Sequence, residues 1–153
     1  MGQEKYDAII IGGGPAGATA AIAMAQAGHH VTVLDRSEFP RFRIGESLVP
    51  KVVEMLMKLG LTDLMSEVVH VPKRGVEIGF GNQLGEQLDV AFANSLRKDV
   101  PRAFNTERGS LDGLLLEAAK KEGVHVRNDF HVKEITRLED QHVIVTNGNG
   151  EQV

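Results

Sequence analysis

Three glycines and one acid near the start of the chain have types and spacing suited to holding a pyrophosphate. In AIIIGGGPAGATAA, residues 8–21, Gly12, Gly14 and Gly17 form G-x-G-x-x-G. Gly12 permits a tight turn. Gly14 lets the backbone approach a pyrophosphate with no Cβ in the way, and Gly17 lets the following helix pack close to its strand. Pro15 and Ala16 open that helix, whose free N–H groups and positive dipole end face phosphate oxygens. The missing N–H of Pro15 costs nothing at a first helical position. Asp35 follows about 20 residues after the glycines, where an acid hydrogen-bonds a ribose hydroxyl. Its charge disfavours a 2′-phosphate, although Arg36 beside it leaves a small opening for one. The chemistry is that of an adenine dinucleotide, with NAD and FAD both open.

These residues need a strand, a helix and a second strand in order, and the sequence supplies them. Tyr6 to Ile11 reads as a short buried strand of the kind a parallel sheet covered on both faces requires. Ala16 to Ala27 is alanine-rich and helical, Gly28 ends it, and HVTVL, residues 30–34, is a second strand. A βαβ unit with no ligand is the plainer alternative.

Composition narrows the class further. With 153 residues, 42% hydrophobic and 25% charged, the chain is long enough for one ordinary domain. A net charge of −4 provides no basic field for nucleic acid or an anionic membrane. The absence of cysteine removes disulfides, thiolate metal sites and thiol nucleophiles, and it fits a reducing, cytoplasmic setting. The histidines show no HExxH or other zinc spacing. The apolar run from Ala8 to Gly28 is broken by three glycines and Pro15, so it does not read as a transmembrane helix. The leader MGQEKYD mixes Lys5 with Glu4 and Asp7, unlike a secretory signal.

The stretch PRFRIGESLVP, residues 40–50, adds a resemblance. Together with GGGPAG, the LD at residues 34–35 and NTERGSLDGLLLEAAKKEGV at 105–124, it resembles the flavin-dependent monooxygenase superfamily. The resemblance is to the branch holding flavin-dependent halogenases and geranylgeranyl-reductase-like proteins. It implies FAD as cofactor and an α/β, Rossmann-like FAD-binding domain of the glutathione-reductase type. It also implies that Arg43, Gly45, Glu46 and Ser47 lie along the FAD and that Arg108 contacts the flavin. Local chemistry agrees in part, because Pro40 and two arginines make a loop where a plain NAD domain would enter another helix. Arg41 and Arg43 have the reach to meet the pyrophosphate or the flavin edge. More plainly, Glu46 and Ser47 read as caps of the apolar helix Val49 to Leu59. Arg108 reads as a surface arginine at a helix start, where its charge is slightly unfavourable.

In the middle of the chain, GVEIGF and LDVAFA alternate apolar and polar residues around GNQLGEQ, which predicts a hairpin. Residues 71–106 are expected to form a β insertion on the substrate side. Within VPKRGVEIGF the PKRG resembles the halogenase position whose lysine meets hypohalous acid, which makes Lys73 the candidate catalytic residue. An ammonium hydrogen-bonds hypohalite, and a desolvated neutral amine can be halogenated on nitrogen. A solvated Lys-Arg turn is the plain alternative. Further on, Leu111, Leu114, Leu115 and Ala118 mark one face of a helix that packs on the sheet.

VHVRND, VKEITRL and VIVTN read as successive strands, and NGNG, residues 147–150, as a hairpin turn. Only EQV follows, whereas a returning strand normally needs about five residues. The expectation is an incomplete domain, the N-terminal part of a larger flavoprotein. The resemblance implies a parent enzyme that oxygenates or halogenates a small organic substrate, or reduces an alkene as in the reductase branch. Its electrons would come from NAD(P)H or from a separate flavin reductase. A binding module without turnover is the alternative for these residues alone.

Overall fold

A computed structural model describes residues 5–68, 70–81, 85–94, 103–139 and 142–153. In chain order its elements are β1 (Ala8–Ile11), α1 (Pro15–Gln26), β2 (Val31–Leu34), α2 (Pro50–Lys58), α3 (Leu64–Glu67), β3 (His70–Lys73), β4 (Gly75–Gly79), β5 (Gln87–Ala91), β6 (Ala103–Thr106), α4 (Arg108–Lys121), β7 (His125–Arg127), β8 (Val132–Glu139) and β9 (His142–Asn147). They divide into two compact units, one made of Met1–Phe42 with Gly109–Val153 and the other of Arg43–Arg108.

The first unit is built on a parallel sheet in the order β1-β2-β7. The apolar VTVL of β2 is buried at every position, as a central parallel strand must be. β1 is shorter than the Tyr6–Ile11 strand expected from sequence and only half-buried, with Ile11 55% exposed. The reason is its place in the sheet: among the described residues β1 pairs with β2 alone. Alanine-rich α1 starts with Gly14 as N-cap and Pro15 at its first position, and Gly28 follows it at φ +90°. Ala18, Ala21 and Ile22 face inward from it.

Gly17 fixes how closely α1 approaches its strand. A Cβ on Gly17 would lie 1.9 Å from the Gly12 carbonyl oxygen, a separation no real side chain tolerates. Gly17→Ala is therefore expected to force the first turn of α1 outward and to destabilise the chain by about 1–3 kcal/mol. A urea midpoint unchanged by the substitution would contradict this packing.

α4 buries Leu111, Asp112, Leu115, Leu116 and Ala119. This corrects the expected face, since Leu114 and Ala118 are only half-buried. The buried stripe is turned because Leu116 must meet the glycine loop: a Cβ on Gly13 would lie 3.1 Å from Leu116 Cδ1. A second cluster joins Leu34, Phe130 and Val145. β8 and β9 pair antiparallel, and the NGNG segment turns the chain as its residues predict. Asn147 Oδ1 accepts the N–H groups of Asn149 and Glu151 at 3.0 and 2.9 Å. Val145 and Val153 then exchange two backbone hydrogen bonds.

The second unit holds two antiparallel pairs, one nested inside the other in sequence. β4 and β5 form the expected hairpin, with Val76 opposite Val90 and Ile78 opposite Leu88 on one face. Residues 82–84 of its turn lie outside the described residues. β3 pairs with β6, placing Lys73 opposite Ala103. The free edge of β6 takes up the segment before α2: Leu48 N–H donates to Phe104 O and Thr106 N–H to Glu46 O, both at 2.9 Å. The compact unit accordingly begins at Arg43. The capping role expected of Glu46 and Ser47 does not occur. Val49 is the N-cap of α2 and Pro50 its first residue, because Glu46 and Ser47 are extended along β6.

Candidate functional site

The glycine loop at the C-terminal end of β1 is built from three different requirements. Gly12 sits at φ +107°, which side chains rarely adopt, while its N–H donates to Leu34 O at 2.8 Å. Gly17 is required by its close approach to the Gly12 carbonyl, and Gly13 is packed tightly against Leu116. Gly14 differs from these, because φ −73° and ψ −177° is extended backbone open to any residue. α1 carries no acidic side chain in its first turn and no side-chain cap, so no side chain of its own takes the N–H groups that open it.

Asp35 emerges from β2 at 4% exposure. Its Oδ2 accepts the Gly13 N–H at 2.6 Å and Arg41 Nη2 at 3.1 Å, and its Oδ1 accepts the Ser37 N–H at 2.9 Å. The carboxylate that sequence assigns to a ribose hydroxyl thus holds the glycine loop and an arginine. One acceptor position remains on Oδ1. Arg36 is exposed. Arg41, which sequence allows to reach toward the cofactor, is instead directed at Asp35. Its guanidinium lies 4.5 Å from the Phe39 ring centroid, and Nη1 approaches Ser37 Oγ at 3.4 Å. Its Nε is buried with no hydrogen-bond partner among the described residues. Sequence reasoning missed this Asp-Arg pair; an arginine six residues after the acid, behind a Phe-Pro turn, was the available signal.

In the second unit Gly45 takes φ +104°, and a Cβ there would lie 3.2 Å from Arg108 Nη1. Arg108 Nη1 donates to Ile44 O at 3.3 Å and Gly45 O at 3.4 Å, so it braces the loop that carries Glu46 and Ser47. Arg43, Glu46 and Ser47 are exposed. Arg108→Ala is expected to lower stability by about 0.5–1.5 kcal/mol. Amide exchange should quicken at residues 44–47 more than in α2; equal changes in both would remove the bracing role.

Lys73 stands at the end of β3, half-buried. Its Nζ donates to Ser47 Oγ and lies 5.8 Å from the Phe92 ring centroid. The structure thereby joins two residues that sequence reasoning assigned to different roles. A primary amine held by a hydroxyl beside an aromatic face can donate hydrogen bonds to an anion or, when neutral, act as a nucleophile. Among the described residues no cluster of histidine and carboxylate side chains could hold a metal ion, and no helix is long and apolar enough to cross a membrane.

The chain as a whole is similar to several known proteins. A 1H-pyrrole-2-carbonyl-(peptidyl-carrier protein) chlorinase of Pseudomonas fluorescens is 31% identical over 161 residues, covering 95% of this chain and 36% of that protein. A tryptophan 2-halogenase of Chondromyces crocatus is 37% identical over 131 residues, covering 86% of this chain and 23% of the relative. The chain thus spans about a third or less of the length of these relatives. Among solved structures, the myxobacterial chondrochloren halogenase CndH, an FAD-dependent halogenase, superposes with a TM-score of 0.82 at 35% identity. That match covers 99% of this chain and 35% of CndH. A flavoprotein/dehydrogenase from Cytophaga hutchinsonii superposes with a TM-score of 0.82 at 30% identity, over 98% of this chain and 36% of that one. The tryptophan halogenase family matches residues 7–97, and the chain belongs to that family.

Proposed function

We propose that this chain is the FAD-binding and amine-bearing part of a flavin-dependent halogenase. The observation that carries the reading is Lys73, an amine held by Ser47 at the end of the Gly45–Ser47 segment in a chain of the tryptophan halogenase family. The residues fit FAD. Gly14 is a glycine its backbone does not require, at the opening of a helix whose first N–H groups have no side-chain cap. The amides from Gly14 to Gly17 would take the pyrophosphate, with Pro15 contributing none, and Ala16 would add no bulk. The remaining acceptor of Asp35 would take a ribose hydroxyl, with Arg36 at the rim. Arg43, Gly45, Glu46 and Ser47 would line the flavin, with Arg108 fixing their loop.

Bound FAD, once reduced, would supply the two-electron reduction of dioxygen and, with halide, hypohalous acid. Ser47 Oγ accepts one N–H of Lys73 and so aims the nitrogen. As an ammonium, Lys73 donates a hydrogen bond to the hypohalite oxygen. As a neutral amine it takes the halogen, forming an N–halogen bond while the hydroxyl group leaves with the amine proton as water. The substrate would be a small organic molecule rich in electrons, and the reducing equivalents would come from NAD(P)H or a separate flavin reductase.

A second reading, oxidation or reduction without halide, is favoured by the similarity to the Cytophaga flavoprotein/dehydrogenase. The test is to bind FAD to the whole protein that carries this chain, reduce it with NADH and a general flavin reductase, and supply oxygen, bromide and an indole or pyrrole probe. Brominated product by mass spectrometry supports halogenation. Hydroxylated or reduced product with no bromine supports the second reading, and failure to bind FAD overturns both.

A further inference from the structure

We infer that Arg41 is a positioning residue for the dinucleotide, acting through Asp35 on the amide of Gly13. Asp35 Oδ2 is a shared acceptor, taking the Gly13 N–H at 2.6 Å and Arg41 Nη2 at 3.1 Å. The pair is largely withdrawn from water, with the side chains of Arg41 and Asp35 at 16% and 4% exposure. A buried ion pair is poor evidence of stabilisation, because desolvation offsets its attraction, and it is best explained by what it specifies. Here it specifies a loop shape. The carboxylate holds the Gly13 amide to the end of β2, Ser37 N–H fixes its other oxygen, and the guanidinium lies over the Phe39 ring.

The charge of Arg41 has a second effect. Asp35 bonds directly to the residue preceding Gly14, where an anionic pyrophosphate would settle. A bare carboxylate there would repel the phosphates, and in a low-dielectric pocket that repulsion is strong. Arg41 cancels the charge while leaving the carboxylate free to hold Gly13. The arginine therefore serves the dinucleotide without touching it. This inference rests on the FAD reading for its binding arm, while its loop arm needs no flavin.

The test uses the full chain as wild type, Arg41→Ala, Arg41→Lys and the double variant Arg41→Ala/Asp35→Asn. Without flavin, exchange of the Gly13 amide is followed by NMR, with the Val31–Leu34 amides as an internal control. Arg41→Ala is expected to speed Gly13 exchange at least about tenfold with β2 unchanged, and to weaken FAD binding, read by flavin fluorescence quenching, by about 10- to 100-fold. Arg41→Lys, which keeps the charge but not the fork, should fall between. The double variant should bind FAD more tightly than Arg41→Ala, since the unpaired charge is gone, but should regain only part of the Gly13 protection, since the single oxygen of asparagine cannot accept both the Gly13 and the Ser37 N–H groups. If Arg41→Ala fails to fold, Arg41→Lys carries the test: faster Gly13 exchange with weaker FAD binding supports the inference, and wild-type values of both overturn it. A double variant as weak as Arg41→Ala overturns it, as does Arg41→Ala with wild-type affinity and exchange. A wild type that binds no FAD would sink the proposed function, yet the Gly13 measurement would still decide this one.

Discussion

In the whole protein that carries this chain, Lys73→Ala should eliminate halide incorporation while leaving FAD binding and peroxide release intact. The substitution removes the amine that would meet hypohalous acid, and it falls in a different compact unit from the glycine loop and Asp35. Lys73 is half-buried on a β3 strand whose pairing to β6 runs through the backbone, so truncation to alanine keeps the strand. Loss of the one hydrogen bond to Ser47 should shift stability by about 0.5–1.5 kcal/mol. The expected loss of halogenated product is at least about 1000-fold, as for removal of a covalent participant. Ser47→Ala should lower the same rate less, because the amine survives and only its aim is relaxed. Product mass and hydrogen peroxide are measured together. A variant that halogenates normally would return Lys73 to the plain solvated turn.

Gly14→Val should abolish FAD binding in the whole protein that carries this chain, without unfolding the chain. The two effects separate because of the backbone: at φ −73° and ψ −177° valine is as comfortable as glycine, and more so than most residues. Gly12, at φ +107°, would not allow such a separation, and Gly17 would strike the Gly12 carbonyl. A branched side chain at position 14 would stand where the pyrophosphate approaches the amides. Affinity should drop by more than about 100-fold, equivalent to about 2.7 kcal/mol. The circular dichroism spectrum and thermal midpoint should stay close to wild type. Retained flavin at wild-type affinity would exclude the loop as the cradle.

What the sequence made legible was local. The βαβ order, the end of α1 at Gly28 and the Asn147 turn each depend on residues within a few positions, so their chemistry can be read directly. The acid at the end of β2 was also visible, but its partners were not. The Gly13 amide is 22 residues away and Arg41 lies behind a turn, so a ribose contact was the only role that spacing suggested. Glu46 and Ser47 looked like caps because a helix follows them. Strand pairing to β6, more than 50 residues on, claimed them instead. The Lys73–Ser47 contact bridges 26 residues and has no sequence periodicity to announce it. The face of α4 was misjudged because helical spacing admits several stripes, and only the glycine loop meeting Leu116 selects among them.

Arg108 has a consequence for chain entropy and for exchange of parts. Its hydrogen bonds to Ile44 and Gly45 bring together the two ends of the Arg43–Arg108 unit, which interrupts the first unit between β2 and β7. Without that brace and the pairing of Glu46 and Leu48 with β6, joining Thr32 to His125 would close a loop of 93 residues. With the ends already side by side, the interruption acts on the parallel sheet as a short connection, and loop-closure entropy grows only slowly with whatever length lies beyond the brace. Lengthening or shortening an insert tethered in this way adds little closure entropy to the sheet. Transplanting the whole Arg43–Arg108 segment between relatives should therefore succeed more often than transplanting the β4–β5 hairpin alone.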